Sequence, residues 1–498
     1  MQEARKGFRE AAGRAVEAVG CGSRARRGPE VGPARAHSTG TAMSHDSLLA
    51  RGALLPFLVL LGGLAAGQGA KKTGPVFADG QAQVVPGFAD PKKWVRHDLW
   101  VETEFDCDGD GKRDRVHMDV TRPEQTESEG LKVPVVYETS PYYSGTGTTT
   151  PEYMWDPEQE LGDMPELREN PPEIRFQKPR PMISNDHVDD WVPRGFAVVH
   201  SESVGTGQSQ GCPSPGAEIE SLAPKAVIDW LCGRARGFTK VDGDEEVKAT
   251  WCTGKVGMTG TSYNGTLPIA CATTGVEGLE AIIPIAPVTS YYRYYRSNGL
   301  VRHPGGYLGE DMDVLYDFIH SNFEELRELC NAEVRDSLLL ENIDRVSGDW
   351  NDFWAERDYA AKLGKWHAAT LMAHAFNDWN VMPEHSVTFY EALKAKGVPV
   401  QCFFHQGGHG GPPPMAQMNR WFTRYLYGVE NGVEQDPKAW VVREGARLNQ
   451  PTPYADYPNP EAELVAFFPT KGGRESGALE LAAQGKQGQE ELVDDVSV

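Results

Sequence analysis

Eleven residues constrain this chain more than any others: Lys255-Val-Gly-Met-Thr-Gly-Thr-Ser-Tyr-Asn-Gly265, a short apolar strand that runs into a glycine-flanked serine and then into a helix. A serine hydroxyl is a weak nucleophile on its own. It becomes useful when a tight strand-to-helix turn exposes its oxygen to a neighbouring base, and Gly260 and Gly265 give room for such a turn at Ser262. The common pattern for that turn is G-x-S-x-G. Here Asn264 takes the second glycine's place and Gly265 follows one residue late. Ser262 is the candidate nucleophile, with an ordinary Gly/Ser loop as the alternative.

The 498 residues are 40% hydrophobic and 9% aromatic, enough for a large core, and the length suggests roughly two to four domains. The formal charge of -22 argues against nucleic acid or an anionic membrane as a partner, because both are bound through basic surface. Residues 1–42 are of another kind, with eight Lys/Arg against four Asp/Glu and no apolar periodicity, and are read as lying upstream of the native start. From Met43, the basic Arg51, the apolar run Ala53 to Leu64 and the small Ala65, Ala66 and Gly67 follow the order of a secretory signal peptide. Residues 43–70 are therefore expected to be a leader and the mature protein extracytoplasmic. That run is twelve residues, short of the roughly 20 needed to span a bilayer, and no other segment is long and apolar enough. Of the eight cysteines, Cys21 lies upstream and seven remain, so at least one thiol is free. Neither a CxxC pair nor zinc spacing occurs, and the sequence does not assign the pairing.

Along the mature chain, alternating runs Trp94 to Phe105 and Arg115 to Arg122 read as strands. Their connection carries Asp106, Asp108, Asp110, Gly111 and Asp114 in the order of a calcium loop, but His117 stands where that loop needs a bidentate Glu. A structural turn is the preferred reading and no metal is expected. The strand Val133 onward ends in a proline-led turn, where the Tyr142 hydroxyl could face a developing oxyanion or simply pack. Gly195 to His200 forms a third strand and leads into the glycine-rich Glu202 to Cys212, which lacks the Lys-Ser/Thr of a phosphate loop. A helix is expected from Ile219 to Leu231, then the strand before Ser262, and strands alternating with helices imply a mostly parallel sheet. About residues 300–362 are polar and helical and are read as a cap inserted over the site.

Two later strand ends supply a triad. The strand from Ala369 breaks into Asn377-Asp378, and Val398 to Phe404 is followed by Gln406-Gly-Gly-His-Gly410, so Asp378 is the candidate orienting acid and His409 the candidate base. His374 and His405 fall within strands and His385 on a helix, whereas a loop histidine just past a strand end can reach the serine. The order Ser262, Asp378, His409 is that of the α/β-hydrolase fold, with space for one helix and one strand between the last two.

With these motifs in place, the chain resembles the Xaa-Pro dipeptidyl-peptidase family of serine peptidases, which is related to cocaine-esterase-like and α-amino-acid ester hydrolases. The likeness rests on Gly260-Thr-Ser-Tyr-Asn-Gly265, matching the family's G-x-S-Y-x-G, on Ser140-Pro-Tyr-Tyr143 and on Glu202 to Cys212. It extends to Phe353-Trp354 with Arg357, Asn377-Asp-Trp-Asn-Val381 and Gln406-Gly-Gly-His409. The resemblance implies Ser262 as nucleophile, Asp378 as orienting acid, His409 as base, and an oxyanion hole from the Tyr142 hydroxyl and the backbone N–H of Tyr263. It implies release of an Xaa-Pro dipeptide from a free N-terminus, with a peptide bearing a penultimate proline as substrate and no metal or organic cofactor. Trp379, Tyr291 and Tyr292 are candidate walls of a proline slot, and Glu202 or a cap carboxylate a candidate partner for the substrate ammonium; plain core is the alternative for the aromatics. An esterase or amidase on the same scaffold remains open, as does a catalytically silent binding protein.

Residues 71–430 are thus expected to form the catalytic domain. The family usually continues into a long β-sandwich, and Ala439 to Arg443 and Leu464 to Phe468 look like its opening strands. Residues 431–498 are therefore expected to be an incomplete sandwich ending in a mobile tail from about residue 470. The sequence leaves the oligomeric state open.

Overall fold

Val133–Ser140, Ala197–Glu202, Leu279–Ile285, Ala369–Ala375 and Val400–His405 are buried along almost their whole lengths, without the alternation of a half-exposed strand. Strands of this kind belong to a sheet covered on both faces. The computed structural model describes residues 72–148, 153–156, 172–177, 182–297, 299–470, 477–483 and 485. The expectations for an upstream segment and a leader, residues 1–70, lie outside the described residues, as does most of the tail after residue 470. The chain divides into Met1–Gly74 and Pro75–Val498, and the second unit carries the fold.

Twelve strands of that unit form one sheet. In chain order they are β1 (Val95–Glu102), β2 (Arg115–Arg122), β3 (Val133–Ser140), β4 (Ala197–Glu202), β5 (Gly237–Phe238) and β6 (Glu246–Val247). They continue as β7 (Cys252–Thr261), β8 (Leu279–Ile285), β9 (Ala369–Ala375), β10 (Val400–His405), β11 (Ala439–Val441) and β12 (Thr452–Tyr454). Their order across the sheet is β6-β5-β1-β2-β4-β3-β7-β8-β9-β10-β11-β12. Every pair from β4 to β11 is parallel, and the flanking pairs are antiparallel.

Five helices position the site: α1 (Glu218–Leu231), α2 (Tyr263–Thr273), α3 (Met312–Ile319), α4 (Glu384–Lys396) and α5 (Met415–Tyr427). Successive residues of one strand serve opposite faces. Val135, Tyr137 and Val199 join the core that holds Val227 of α1 and Leu267 of α2, while Val136, Val198 and Ile283 pack with Trp421, Phe422 and Leu426 of α5. Met418, Trp421, Phe422 and Leu426 recur at helical spacing, which turns one stripe of α5 to the sheet. Among the described residues no helix is long and apolar enough to cross a membrane.

Between β8 and β9 the chain leaves the sheet through α3, a helical run Arg327–Cys330 that continues as π-helix Asn331–Leu339, and the short helix Asp352–Glu356. A disulfide between Cys212 and Cys330 ties this excursion to the loop after β4, and Asn322 Nδ2 donates to Gly211 O at 2.7 Å beside it. Cys107, Cys232, Cys252, Cys271 and Cys402 are free.

Two expectations change. Ala439–Val441 does not open a separate sandwich. It pairs in parallel with β10 and extends the main sheet, with Thr452–Tyr454 beyond it, so the sheet crosses the boundary expected at residue 430. An apolar three-residue strand satisfies its backbone most cheaply at an existing sheet edge. Leu464 to Phe467 form no strand; Phe468–Thr470 pairs antiparallel with Ala478–Glu480 in a separate two-stranded sheet. In the turn after β1 the Asp106, Asp108 and Asp114 carboxylates gather within 4.8 Å of one another. Asp106 accepts the N–H groups of Gly109 and Gly111, and Asp114 that of Cys107, so these carboxylates serve the turn's own backbone.

Candidate active site

The candidate nucleophile follows from the register of two strands. β7 and β8 run in parallel up to Thr261 opposite Ile285, and the Ser262 N–H then donates to Ile285 O at 2.8 Å. Ser262 itself turns to φ 65°, ψ -126°, a conformation costly for any residue with a Cβ. Its carbonyl accepts the N–H groups of Gly265 and Thr266, which starts α2. A Cβ on Gly260 would stand 2.4 Å from Asn264 O, and one on Gly265 would stand 2.6 Å from Ile285 O. The late glycine thus has a cause: residue 265 faces the backbone of β8, whereas Asn264 turns away and donates from Nδ2 to Glu138 Oε1 at 3.0 Å.

The candidate acid and base hang from adjacent strands. Ala375 of β9 pairs with His405 of β10, and beyond them Phe376 N–H donates to His405 O and Asn377 N–H to Gly407 O. Asp378 Oδ1 accepts the backbone N–H groups of Asn380 and Val381 at 3.0 Å each, and Oδ2 accepts from His409 Nδ1 at 2.8 Å. Burial opposes ionisation of Asp378, but hydrogen bonds from His374 and His409 overcome it and hold the carboxyl below the usual range. With Nδ1 donating to the carboxylate, His409 keeps Nε2 as an acceptor.

The other histidines have different work. His405 Nδ1 accepts the Gly407 N–H and its Nε2 donates to Gly410 O at 2.9 Å, which folds the loop carrying His409 around a buried ring; burial lowers its pKa and favours this neutral form. His385 is buried, accepts the Thr289 N–H, and is pushed down to about 3 by burial. His374 is fully buried, while the His409 side chain is 28% exposed. A Cβ on Gly410 would lie 3.5 Å from Thr261 Cγ2, so the base loop rests against the residue preceding Ser262. No hydrogen bond joins His409 to Ser262 Oγ in this conformation. Such contacts are commonly loose before substrate binds.

Tyr142 lies half-buried with its ring edge-on to Tyr263, 5.9 Å between centroids, and to Phe318 at 6.0 Å. Tyr263 begins α2, where the first N–H groups have no partner within the helix. Its phenol donates to buried Glu220 at 2.6 Å, and Glu220 also accepts the Gly216 N–H; burial raises that carboxyl to about 7.

The remaining sequence candidates fall into different places. Trp379 is 73% exposed beside Asp378. Tyr291 is wholly buried behind Tyr263, stacked edge-on between it and Tyr359, and Tyr292 packs against Trp350 and Trp354. Both belong to the aromatic core of the excursion and not to an open slot. Glu202 is buried, and its carboxylate accepts from His117 Nδ1 at 2.7 Å, Gln208 N–H at 2.8 Å and the Ser144 hydroxyl, so three donors of its own surroundings engage it.

Sequence reading passed over Glu310. It stands in the excursion, where Tyr295 donates to its Oε1 at 2.6 Å, and burial raises its pKa to about 7. The adjacent Tyr294 is within electrostatic reach of both Glu310 and Tyr142 and donates to Asn380 Oδ1, two residues after Asp378. In Gly309-Glu310-Asp311 nothing distinguishes this carboxylate from a solvated one.

Comparison with known proteins shows the family. Residues 108–411 match the family model described as X-Pro dipeptidyl-peptidase (S15 family). A protein of Rhodopirellula baltica provisionally named Xaa-Pro dipeptidyl-peptidase is 59% identical over 445 residues, covering 89% of this chain and 71% of the relative. The Xaa-Pro dipeptidyl-peptidase of Ligilactobacillus salivarius is 36% identical over 399 residues, covering 73% of this chain and 49% of the relative. The chain therefore spans between about half and seven tenths of the length of these relatives. Among solved structures, a selenomethionine-labelled α-amino acid ester hydrolase superposes with a TM-score of 0.51 at 14% identity, covering 84% of this chain and 67% of the other, which shows a shared α/β-hydrolase fold. With a family model matching over most of its sheet and a relative at 59% identity, the chain belongs to the X-Pro dipeptidyl-peptidase (S15) family of serine peptidases.

Proposed function

We propose that this protein is a serine exopeptidase that releases Xaa-Pro dipeptides from peptides with a free N-terminus, through an acyl-enzyme on Ser262. The observation that carries the reading is the 2.8 Å bond from His409 Nδ1 to Asp378, set on the loop that rests against the Ser262 elbow. His409 Nε2 takes the hydroxyl proton as Ser262 attacks the carbonyl after proline, and the backbone N–H of Tyr263 with the Tyr142 hydroxyl faces the oxyanion. The same imidazole returns the proton to the leaving amine and then activates the water that frees the dipeptide. The excursion between β8 and β9 acts as a cap, and Glu310 within it holds the substrate ammonium. The paired strands Phe468–Thr470 and Ala478–Glu480 are the opening of a further β module, and the apolar run 53–64 together with the Cys212–Cys330 disulfide supports export.

Hydrolysis of a Gly-Pro anilide, its N-acetylated form and a p-nitrophenyl ester tests the reading. Cleavage of the free-amine anilide but not the acetylated one, lost in Ser262→Ala, is the expected result. Turnover of the ester alone would make this an acyl hydrolase on the same scaffold. Glu310→Gln is expected to raise KM for the anilide about ten- to a hundredfold and to leave the ester nearly untouched.

A further inference from the structure

The acid of the proposed triad touches two imidazoles, and only one of them is needed as the base. His374, on β9, is fully buried with Nε2 2.8 Å from Val381 O and 3.3 Å from Asp378 Oδ2, and with Nδ1 2.6 Å from the Ser386 hydroxyl of α4. The partners fix its tautomer. A carbonyl oxygen can only accept, so Nε2 carries the hydrogen. The buried Ser386 hydroxyl has no other hydrogen-bond partner among the described residues, so it is satisfied by donating to an unprotonated Nδ1. The ring is then neutral, with Nε2–H shared between Val381 O and Asp378 Oδ2.

We infer that His374 is a positioning residue for the reaction: a neutral imidazole whose Nε2–H bridges the Val381 carbonyl and Asp378 Oδ2, so that Asp378 stays ionised and aimed at His409. The inference rests on the triad reading of the proposed function. Four donors converge on this carboxylate. Asn380 N–H and Val381 N–H hold Oδ1, while His409 and His374 approach Oδ2. His374 also closes the turn itself, because the carbonyl it binds belongs to Val381, whose N–H binds the same Asp378. Rotation of the carboxylate away from His409 would break both contacts at once. His374 supports ionisation of Asp378 alongside His409. Its charged and titratable neighbours are Asp378, His409, His385 and His405, and burial disfavours the charged form of the last two.

The test uses the full chain, with a fluorophosphonate titrating active Ser262 so that every rate is per competent site. His374→Leu removes the donor and is expected to lower kcat for the Gly-Pro anilide about ten- to a hundredfold, the range over which one hydrogen bond to a charged group acts, with KM within about twofold. His374→Gln places an amide N–H where Nε2 stood and is expected to recover most of kcat, whereas His374→Asn, whose amide reaches only the Nδ1 position, is not. Should His374→Leu fail to fold, the Gln and Asn pair decides. A purely structural role would lower the titrated fraction and leave kcat per site unchanged, and that result, or equal kcat for Gln and Asn, would overturn the inference. A wild-type enzyme that the probe does not label at Ser262 would instead remove the triad reading.

Discussion

Exchange of Asp378 for asparagine keeps the shape but offers His409 a donor where it needs an acceptor, so kcat is expected to fall about 10⁴-fold with KM little changed. Glu310 gives a pH signature. Burial pushes its carboxyl up to about 7, and in the role proposed for it only the ionised form attracts an ammonium, so KM for the free-amine substrate should rise as pH falls below 7. The substrate amine loses its own proton above about 8, which bounds the window on the other side. A KM that stays flat from pH 5 to pH 7 would remove Glu310 from that role. The candidates Ser262, Asp378 and His409 could be picked out in the sequence because each follows an apolar strand, and a strand end is where a parallel sheet presents its chemistry. Glu310, Glu220 and the bonding of His374 were not, because their roles depend on what the excursion folds against. The setting of Glu202 was hidden for a related reason: its neighbour His117 comes from β2, far away in the chain.

At the scale of elements, the elbow is a tight joint. Gly265→Ala would drive a methyl against Ile285 O and is expected to cost at least about 1–3 kcal/mol and to reduce fluorophosphonate labelling, because relief of the clash must shift Ser262. The disulfide acts on another joint. Cys212 and Cys330 are 118 residues apart, and replacing both by serine is expected to lower stability by about 2–4 kcal/mol, read as a lower midpoint in urea. The long strands and α1 could be read from their apolar patterns, but β11 could not be placed. Ala439–Val441 is three residues of ordinary strand sequence, and which sheet it joins depends on the free edge of β10.

For the molecule as a whole, the buried centre beneath the Glu202 loop sets a pH limit. Burial opposes charging of His117, but its bonds to Asp98 and Glu202, 2.7 Å each, outweigh this and push its pKa up to about 9. Because that value lies above the unfolded 6.5, the stabilisation is complete below pH 6.5 and is lost as pH rises through 9, on the order of 3 kcal/mol. Thermal melting should therefore fall over this interval, and His117→Gln should flatten the curve. The order of strands has a temporal consequence. Ser262 comes from the middle of the chain, whereas Asp378 and His409 hang from β9 and β10, which follow only after the whole excursion has been made. A nascent chain ending before β9 owns a nucleophile with nothing to activate it. On the triad reading, hydrolytic power arrives only once β9 and β10 have been made and folded, so a copy stopped short of them is inert towards the polypeptides around it.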